Sequence, residues 1–313
     1  MPQHPQESAS RAQIAMLKER LARIGSEVVR HACLRDEFSW PRGRRAAVSL
    51  TFDDARRSQL SVGIPLLNRY GFKATFYVLS ARVRRRLSRW QDAVASGHEI
   101  GNHSMHHPCT GNFPWARRHA LEDYTLSDMA AELDGANAQI EAMLGIRAVS
   151  FAYPGGQKYV GRGEDVKSYV PLVARRFLSG RGWRDEGAND PRVCDFAQLL
   201  AMELDGLGFE QLMAQVRRAV KMGSWLVLCG HKIGSGGPQT TRVETLAAFC
   251  EYARKAQNEL WVTTMAEVAR YVAARRADAG FHRPGTFYDS PAGRGVGTCL
   301  RECLAEKEVV DEP

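Results

Sequence analysis

Four short runs in this chain end in side chains able to do acid–base or metal chemistry. Thr51-Phe52-Asp53-Asp54 closes an apolar run with adjacent carboxylates. Neighbours on an extended chain point to opposite sides, so one can bind an ion while the other faces a substrate. In Gly101-Asn102-His103-Ser104-Met105-His106-His107-Pro108, His103 and His107 are four positions apart, which puts both imidazoles on one side of a turn and within reach of one ion. His106 falls off that register and is expected to be a neighbour. A carboxylate from another strand end would complete a two-His, one-carboxylate set with open coordination positions. Trp225-Leu226-Val227-Leu228-Cys229-Gly230-His231 is an apolar strand ending in histidine, and Ser150-Phe151-Ala152-Tyr153-Pro154-Gly155-Gly156 ends in a turn whose N–H groups suit an oxyanion. Alone, each run has a plainer reading: a solvated Asp-Asp turn, a coincidental histidine pair, a core-edge histidine, an ordinary Pro-Gly turn. His98, at the start of its strand, is expected to be structural.

These groups can meet only if several strand ends share a face. Apolar strands are expected at 46–52, 73–79, 98–102, 148–153, 176–180, 225–230 and 260–264, with helical stretches near 58–69, 87–96, 127–144, 208–221, 242–257 and 265–276. Thr125 with Asp128 and Thr264 with Glu267 give capping-box starts, and Gly145 and Gly223 sit where helices stop. Alternating strand and helix implies a parallel α/β sheet, and about seven such units favour a closed or nearly closed (β/α) barrel, whose strand C-termini carry the site. No glycine-rich phosphate loop follows the first strand, and no repeat of fixed period is visible. Three regions are expected. Residues 1–39 would be a leader and an amphipathic helix (Ile14, Leu17, Leu21, Ile24, Val28) packed outside the main domain, 40–276 the catalytic barrel, and 277–313 a poorly ordered tail rich in Gly, Pro, Arg and Glu.

Composition narrows the class. Hydrophobic residues at 44% and charged residues at 25% of 313 exclude a disordered or fibrous chain. The formal charge of +8 is spread over pairs such as Arg56-Arg57 and Arg217-Arg218 without interleaved aromatics. That is a solvated surface, or at most an attraction for acidic polymers, and no nucleic-acid partner is expected. Seven cysteines, widely spaced and without a CxxC pair, point to reduced thiols. The opening MPQHPQESASRAQ lacks a secretion signal's apolar core, and no apolar run reaches membrane-spanning length, so a cytosolic location is expected. Oligomeric state is not legible.

The order TFDD, HSMHH, SFAYPGG, WLVLCGH, with the flanking WPRGRRAAVSLTFDD, GFKATFYV, GHEIGNHSMHHP and ELWVTTMAEVARYV, resembles the polysaccharide deacetylase family (NodB homology domain, carbohydrate esterase family four) over residues 40–275. The resemblance implies a deformed (β/α) barrel and a metal-dependent hydrolase acting on an acetylated carbohydrate. It implies that Asp54, His103 and His107 bind one divalent ion, Zn²⁺ or else Co²⁺ or Ni²⁺. Asp53 would be the base, His231 the acid, and the Gly155 N–H an oxyanion donor with Tyr153 nearby. Two departures stand out. Ala152 occupies the position where many members carry an arginine that holds the base, a mark of an FAYP-type subgroup, so Arg181 or Arg184 would have to hold Asp53. The Asp that orients the acid is not evident either, and Asp190 is the candidate. Competing expectations are an O-acetyl esterase with the same site, a metal- or carbohydrate-binding member without turnover, and hydrolysis of a cyclic amide, against which the Asp-Asp pair argues.

Overall fold

Ala46–Asp53 (β1) is buried at every position, as a strand covered on both faces must be. Its two faces differ in kind. Ala46, Val48, Leu50 and Phe52 join the apolar cluster under the surrounding helices. The alternate residues turn inward, where Ser49 Oγ accepts from Trp225 Nε1 (3.0 Å) and Thr51 Oγ1 donates to the Leu228 carbonyl (2.9 Å). The computed structural model that gives this arrangement describes residues 38–278 together with Met16 and Lys18–Arg20.

The further strands, in chain order, are Thr75–Val78 (β2), Glu99–Asn102 (β3), Ser150–Ala152 (β4), Tyr159–Val160 (β5), Lys167–Ser168 (β6), Ser179–Arg181 (β7), Met202–Glu203 (β8), Trp225–Gly230 (β9), Lys232–Gly234 (β10), Thr240–Arg242 (β11) and Leu260–Val262 (β12). The main sheet is parallel, in the order β7-β4-β3-β2-β1-β9-β8. One edge of β1 is shared. Its first residues pair with β12 (Ala46 with Leu260) and its last with β2 (Asp53 with Tyr77). The stretch 199–203 links the sheet's two ends, because Leu199 bridges Arg181 and Met202 pairs with Leu228. This is the deformed barrel that the resemblance implied, and its inward face carries the buried polar residues Ser49, Thr51, Asp53 and Arg181. Gly101 shows how tightly that interior is filled: a Cβ there would lie 2.4 Å from the Tyr77 ring.

Helices cover the outside: a π-helical turn Gln59–Gly63 leading into Ile64–Arg69 (α1), then Ser80–Arg84 (α2), Leu87–Ala95 (α3), Leu126–Leu144 (α4), Val170–Arg176 (α5), Phe209–Met222 (α6), Val243–Ala253 (α7) and Met265–Asp278 (α8). Thr125 and Asp128 form the expected capping box, and Gly145 ends α4 in the left-handed region. The second expected box is incomplete: Glu267 N–H reaches Thr264 Oγ1 at 3.4 Å, but the Glu267 carboxylate bonds Thr263 Oγ1 instead. The strand expected at 176–180 begins only at Ser179, because Val170–Arg176, with Pro171 in its first turn, is helical.

The chain divides into the units Met1–Phe38 and Ser39–Pro313. In the first, Met16 and Lys18–Arg20 are helical and exposed, and the rest of the expected amphipathic helix lies outside the described residues. Helix α8 runs two residues into the expected tail, whose remainder also lies outside them. Among the described residues no helix is long and apolar enough to cross a membrane.

Candidate metal and proton-transfer site

The five residues singled out lie at or just beyond the C-terminal ends of β1, β3 and β9. Asp53 is the last residue of β1, and the backbone then turns through left-handed conformations at Asp54 (φ 74°) and Ala55 (φ 52°). That turn is uncommon for residues with a Cβ and costs strain. It is also what sends the two neighbouring carboxylates in different directions. His103 follows β3, and Ser104 (φ 66°) and His107 (φ 58°) take similar conformations in the next turn.

Asp54 Oδ1 lies 3.8 Å from His103 Nε2 and 3.7 Å from His107 Nε2. Three donors so spaced can each stand about 2 Å from one ion, as Zn²⁺ ligands do. The surrounding contacts suit that use. His103 Nδ1 is 2.9 Å from the Ala152 carbonyl, which fixes the tautomer and leaves Nε2 as the ligating atom. Asp54 Oδ2 accepts from Arg56 Nε and Nη2 (3.0 and 2.6 Å), so only Oδ1 faces the histidines. Arg82 donates to the Asp54 carbonyl at 2.9 Å. Burial pushes His107 down to about 4, helped by the His103 charge, and burial outweighs the neighbouring carboxylates in lowering His103. Both are therefore neutral at physiological pH, the form that ligates a metal.

Asp53 is buried and pairs with Arg181, whose guanidinium is wholly buried and stacks 4.6 Å from the Tyr77 ring centroid. Burial alone would raise the Asp53 carboxyl, but the charges of Arg181, His103 and His231 hold it well below the usual carboxylate range. Its other oxygen, Oδ2, lies 3.9 Å from His103 Nε2 and 3.5 Å from Cys229 Sγ. Arg181 is thus the one of the two expected arginines that meets Asp53. Arg184 does not: it pairs with Glu203 at 2.8 Å and lies over the Trp183 ring.

His231 Nδ1 is 2.7 Å from Asp205 Oδ2, while Asp205 Oδ1 accepts from Thr241 Oγ1 (2.7 Å) and the His231 N–H (3.1 Å). Burial would lower the His231 imidazolium, but the Asp205 hydrogen bond and the charges of Asp53, Asp205 and Asp54 outweigh it and raise its pKa. The expectation for Asp190 is corrected. Both of its oxygens are taken by Arg192, at 2.7 Å each, in a local turn. Tyr153 is corrected too: its hydroxyl donates to the Ala197 carbonyl (2.8 Å) and its N–H to the Arg181 carbonyl (3.1 Å), so it belongs to the core. Gly155 sits in the left-handed region beside Cys109, whose Sγ is 3.6 Å from His107 Nδ1. His98, as expected, is structural, hydrogen-bonded to the Ala74 N–H and Asn68.

Besides Asp205, residue-type reasoning missed Gln59, Asn102 and Glu132. Gln59 donates from one amide to the carbonyls of Asp53 (2.6 Å) and His231 (2.8 Å), tying two strand ends together. Asn102 accepts the Ser104 N–H and reaches the Leu133 carbonyl and Asn137 on α4. Glu132, buried on α4, accepts the N–H groups of Met105 (2.9 Å) and His106 (3.0 Å) through Oε2, and meets His106 Nδ1 (2.6 Å) and the Tyr124 hydroxyl (3.1 Å) through Oε1. These contacts account for the plain role of His106, which stacks on His119.

Comparison with known proteins bears on the family and the fold. The polysaccharide deacetylase family profile matches residues 41–169. Among curated proteins, a gellan lyase of a Bacillus species is 29% identical over 136 residues, 44% of this chain and 5% of that protein. The peptidoglycan-N-acetylglucosamine deacetylase PgdA of Listeria monocytogenes is 37% identical over 62 residues, 20% of this chain and 13% of that protein. The chain therefore spans a small fraction of the length of these relatives. A Mycobacterium smegmatis protein, provisionally described as a polysaccharide deacetylase, shares the fold with a TM-score of 0.57 at 18% identity, over 77% of this chain and 94% of that one.

Proposed function

We propose, from the match of residues 41–169 to the polysaccharide deacetylase family profile, that the chain is a metal-dependent hydrolase removing acetyl groups from an N-acetylated sugar or polysaccharide. The observation that carries this reading is the convergence of Asp54, His103 and His107 at ligating separations, with Asp53 and His231 beside them, each held by a charged partner of its own. Asp54, His103 and His107 would hold a divalent ion, which would supply Lewis-acid charge to the acetyl carbonyl and to an attacking water. Two imidazoles and one carboxylate suit Zn²⁺, Co²⁺ or Ni²⁺.

The protein's own groups supply the proton transfers. Asp53, kept ionised by Arg181, takes the water's proton through Oδ2. His231 directs Nδ1–H to Asp205, so Nε2 carries the proton that the departing nitrogen needs. An amine leaves poorly without a proton, and His231, held by Asp205 at 2.7 Å, is placed to supply one. The kinship with peptidoglycan-N-acetylglucosamine deacetylases points to an amide substrate. The Gly155 N–H is the proposed oxyanion donor. The free thiols of Cys109, Cys194, Cys229 and Cys250 support a reducing, cytosolic compartment.

Acetate release from N-acetylglucosamine oligomers and from acetylated xylan, with metal-free and metal-reloaded protein, tests the proposal. Chelation is expected to abolish release, reloading to restore it, and His103→Ala or His107→Ala to leave no bound metal. Faster release from xylan would make the enzyme an O-acetyl esterase. Full activity in protein without detectable metal would overturn the reading.

A further inference from the structure

A second cluster of metal-ligating side chains adjoins the loop after β3, and the proposed proton transfers make no use of it. His107 turns toward Asp54, while its neighbour His106 turns toward Glu132 on α4, with Nδ1 2.6 Å from Oε1. His119 ends the short 3₁₀ segment Pro114–His119 and stacks on His106, with centroids 4.3 Å apart and planes 9° from parallel. Its Nδ1 is 3.1 Å from the Tyr124 hydroxyl, which is itself 3.1 Å from Glu132 Oε1. One nitrogen from each ring and a Glu132 oxygen lie within 4.8 Å of one another. Charge sets the cluster apart from an ordinary hydrogen-bonded anchor. Glu132 is 4% exposed, and a buried carboxylate is tolerated where a positive charge or a metal ion meets it. Asp53 has Arg181, and Asp54 has Arg56 and Arg82. Glu132 has neither arginine nor lysine: among the described residues its ion-pair partner is His106 alone, and an imidazole offers charge only when protonated.

We propose that His106, His119 and Glu132 form a second binding site for a divalent ion of the Zn²⁺ kind, separate from the Asp54, His103 and His107 set and structural in role. Two imidazoles with one carboxylate favour such an ion over Ca²⁺ or Mg²⁺, which take oxygen ligands. Ligands must shed their protons for a metal, so the His106 Nδ1 proton leaves to solvent as the ion enters. A turn of the two rings, the freer being His106 with its side chain 48% exposed, brings each donor to the roughly 2 Å of a zinc ligand. Glu132 ligates through Oε1, while Oε2 keeps the Met105 and His106 N–H groups and so the loop anchor. The ion would then pin together three stretches of backbone remote in sequence: the loop after β3, the 3₁₀ segment and α4. Open to water on the His106 side, the site holds zinc more loosely than the first set. Gel filtration into metal-free buffer therefore empties it and leaves the first ion in place.

The test titrates the gel-filtered, zinc-loaded full chain with zinc chloride in a calorimeter. The wild type is expected to take up one further equivalent and to melt at a higher temperature as it does so, because an ion that binds only the folded state stabilises it. His119→Ala is expected to keep the first ion and to lose both the further equivalent and the zinc-dependent rise in melting temperature. His119→Gln, which can still hydrogen-bond Tyr124 but ligates zinc poorly, should behave in the same way. Glu132 is left intact in these variants because it also anchors the loop. His103→Ala, metal-free after gel filtration, should still take up one equivalent. No further uptake by the wild type overturns the proposal, and so does a further equivalent that both His119 variants retain, which would be an adventitious ion only. Anomalous diffraction at the zinc edge from wild-type crystals grown in excess zinc gives an answer that depends on no variant. A peak among His106, His119 and Glu132 supports the site, and a peak at the first set alone overturns it.

Discussion

Glu132→Ala should loosen metal binding although Glu132 touches none of the three ligands. The loop it anchors holds Ser104 and His107 in left-handed conformations, each costing about 1–2 kcal/mol, so roughly 2–4 kcal/mol of strain must be held in place. Against that strain Glu132 sets two hydrogen bonds from its buried carboxylate to the Met105 and His106 N–H groups, worth about 1.5–3 kcal/mol each. The two sums are comparable, so without the carboxylate the loop can relax and carry His107 away from Asp54. We expect zinc affinity to fall about 10- to 100-fold, the usual cost of removing a group that orients a ligand. Glu132→Gln should lose only a few-fold, because one amide oxygen can still accept both N–H groups where Oε2 stands. Competition with a chromophoric chelator gives the affinity, and thermal melts of the metal-free protein give the stability separately. Wild-type zinc affinity in Glu132→Ala, alongside a lowered melting temperature, would refute the reasoning and leave Glu132 a core residue only.

Two further predictions concern the proton-transfer groups. Because Asp205 raises the His231 pKa, the acid form persists to higher pH, and Asp205→Asn should move the alkaline limb of kcat/KM to lower pH. A pH profile whose alkaline limb stays in place would count against Asp205 as the orienting group. Arg181→Met removes one partner of a buried ion pair and should cost about 3–5 kcal/mol of stability at neutral pH. Asp53 is held below its ordinary value of 3.8, so the pair's contribution is complete above that pH and is lost as pH falls through the lower folded value. The deficit of Arg181→Met relative to wild type should therefore shrink on acidification in urea titrations of metal-free protein, and a deficit constant with pH would argue against this account.

The parts legible in the sequence were those with a long, regular pattern. The run 225–230 is the strand that alternation and apolar content indicated, and α4 starts and stops within a residue of where Thr125 and Gly145 predicted. Site residues at the ends of such strands were legible for the same reason. The acid's partner was not, because Asp205 follows β8, a strand of only two residues, Met202–Glu203, too short for any period to register. Asp190 stood out instead because Asn-Asp-Pro is a turn signal, and a turn is what it forms. Arg181 could be named as a candidate from its place beyond an expected strand, but choosing it over Arg184 depends on which side of the backbone faces Asp53. Glu132 and Gln59 act by accepting from or donating to backbone groups remote in sequence, and side-chain type carries no sign of that.

The shared edge of β1 has a consequence for synthesis of the chain. All three proposed ligands and Asp53 are made by residue 107. Yet β1 pairs along one edge with Trp225–Gly230 and along the first part of the other with Leu260–Val262. A nascent chain emerging from the ribosome therefore carries the strand on which the site is built with most of its ladder unpaired until nearly the whole domain has been translated. During that interval its edges are open to chaperones and to other chains, so the proposed ligand set is framed last although its residues come first.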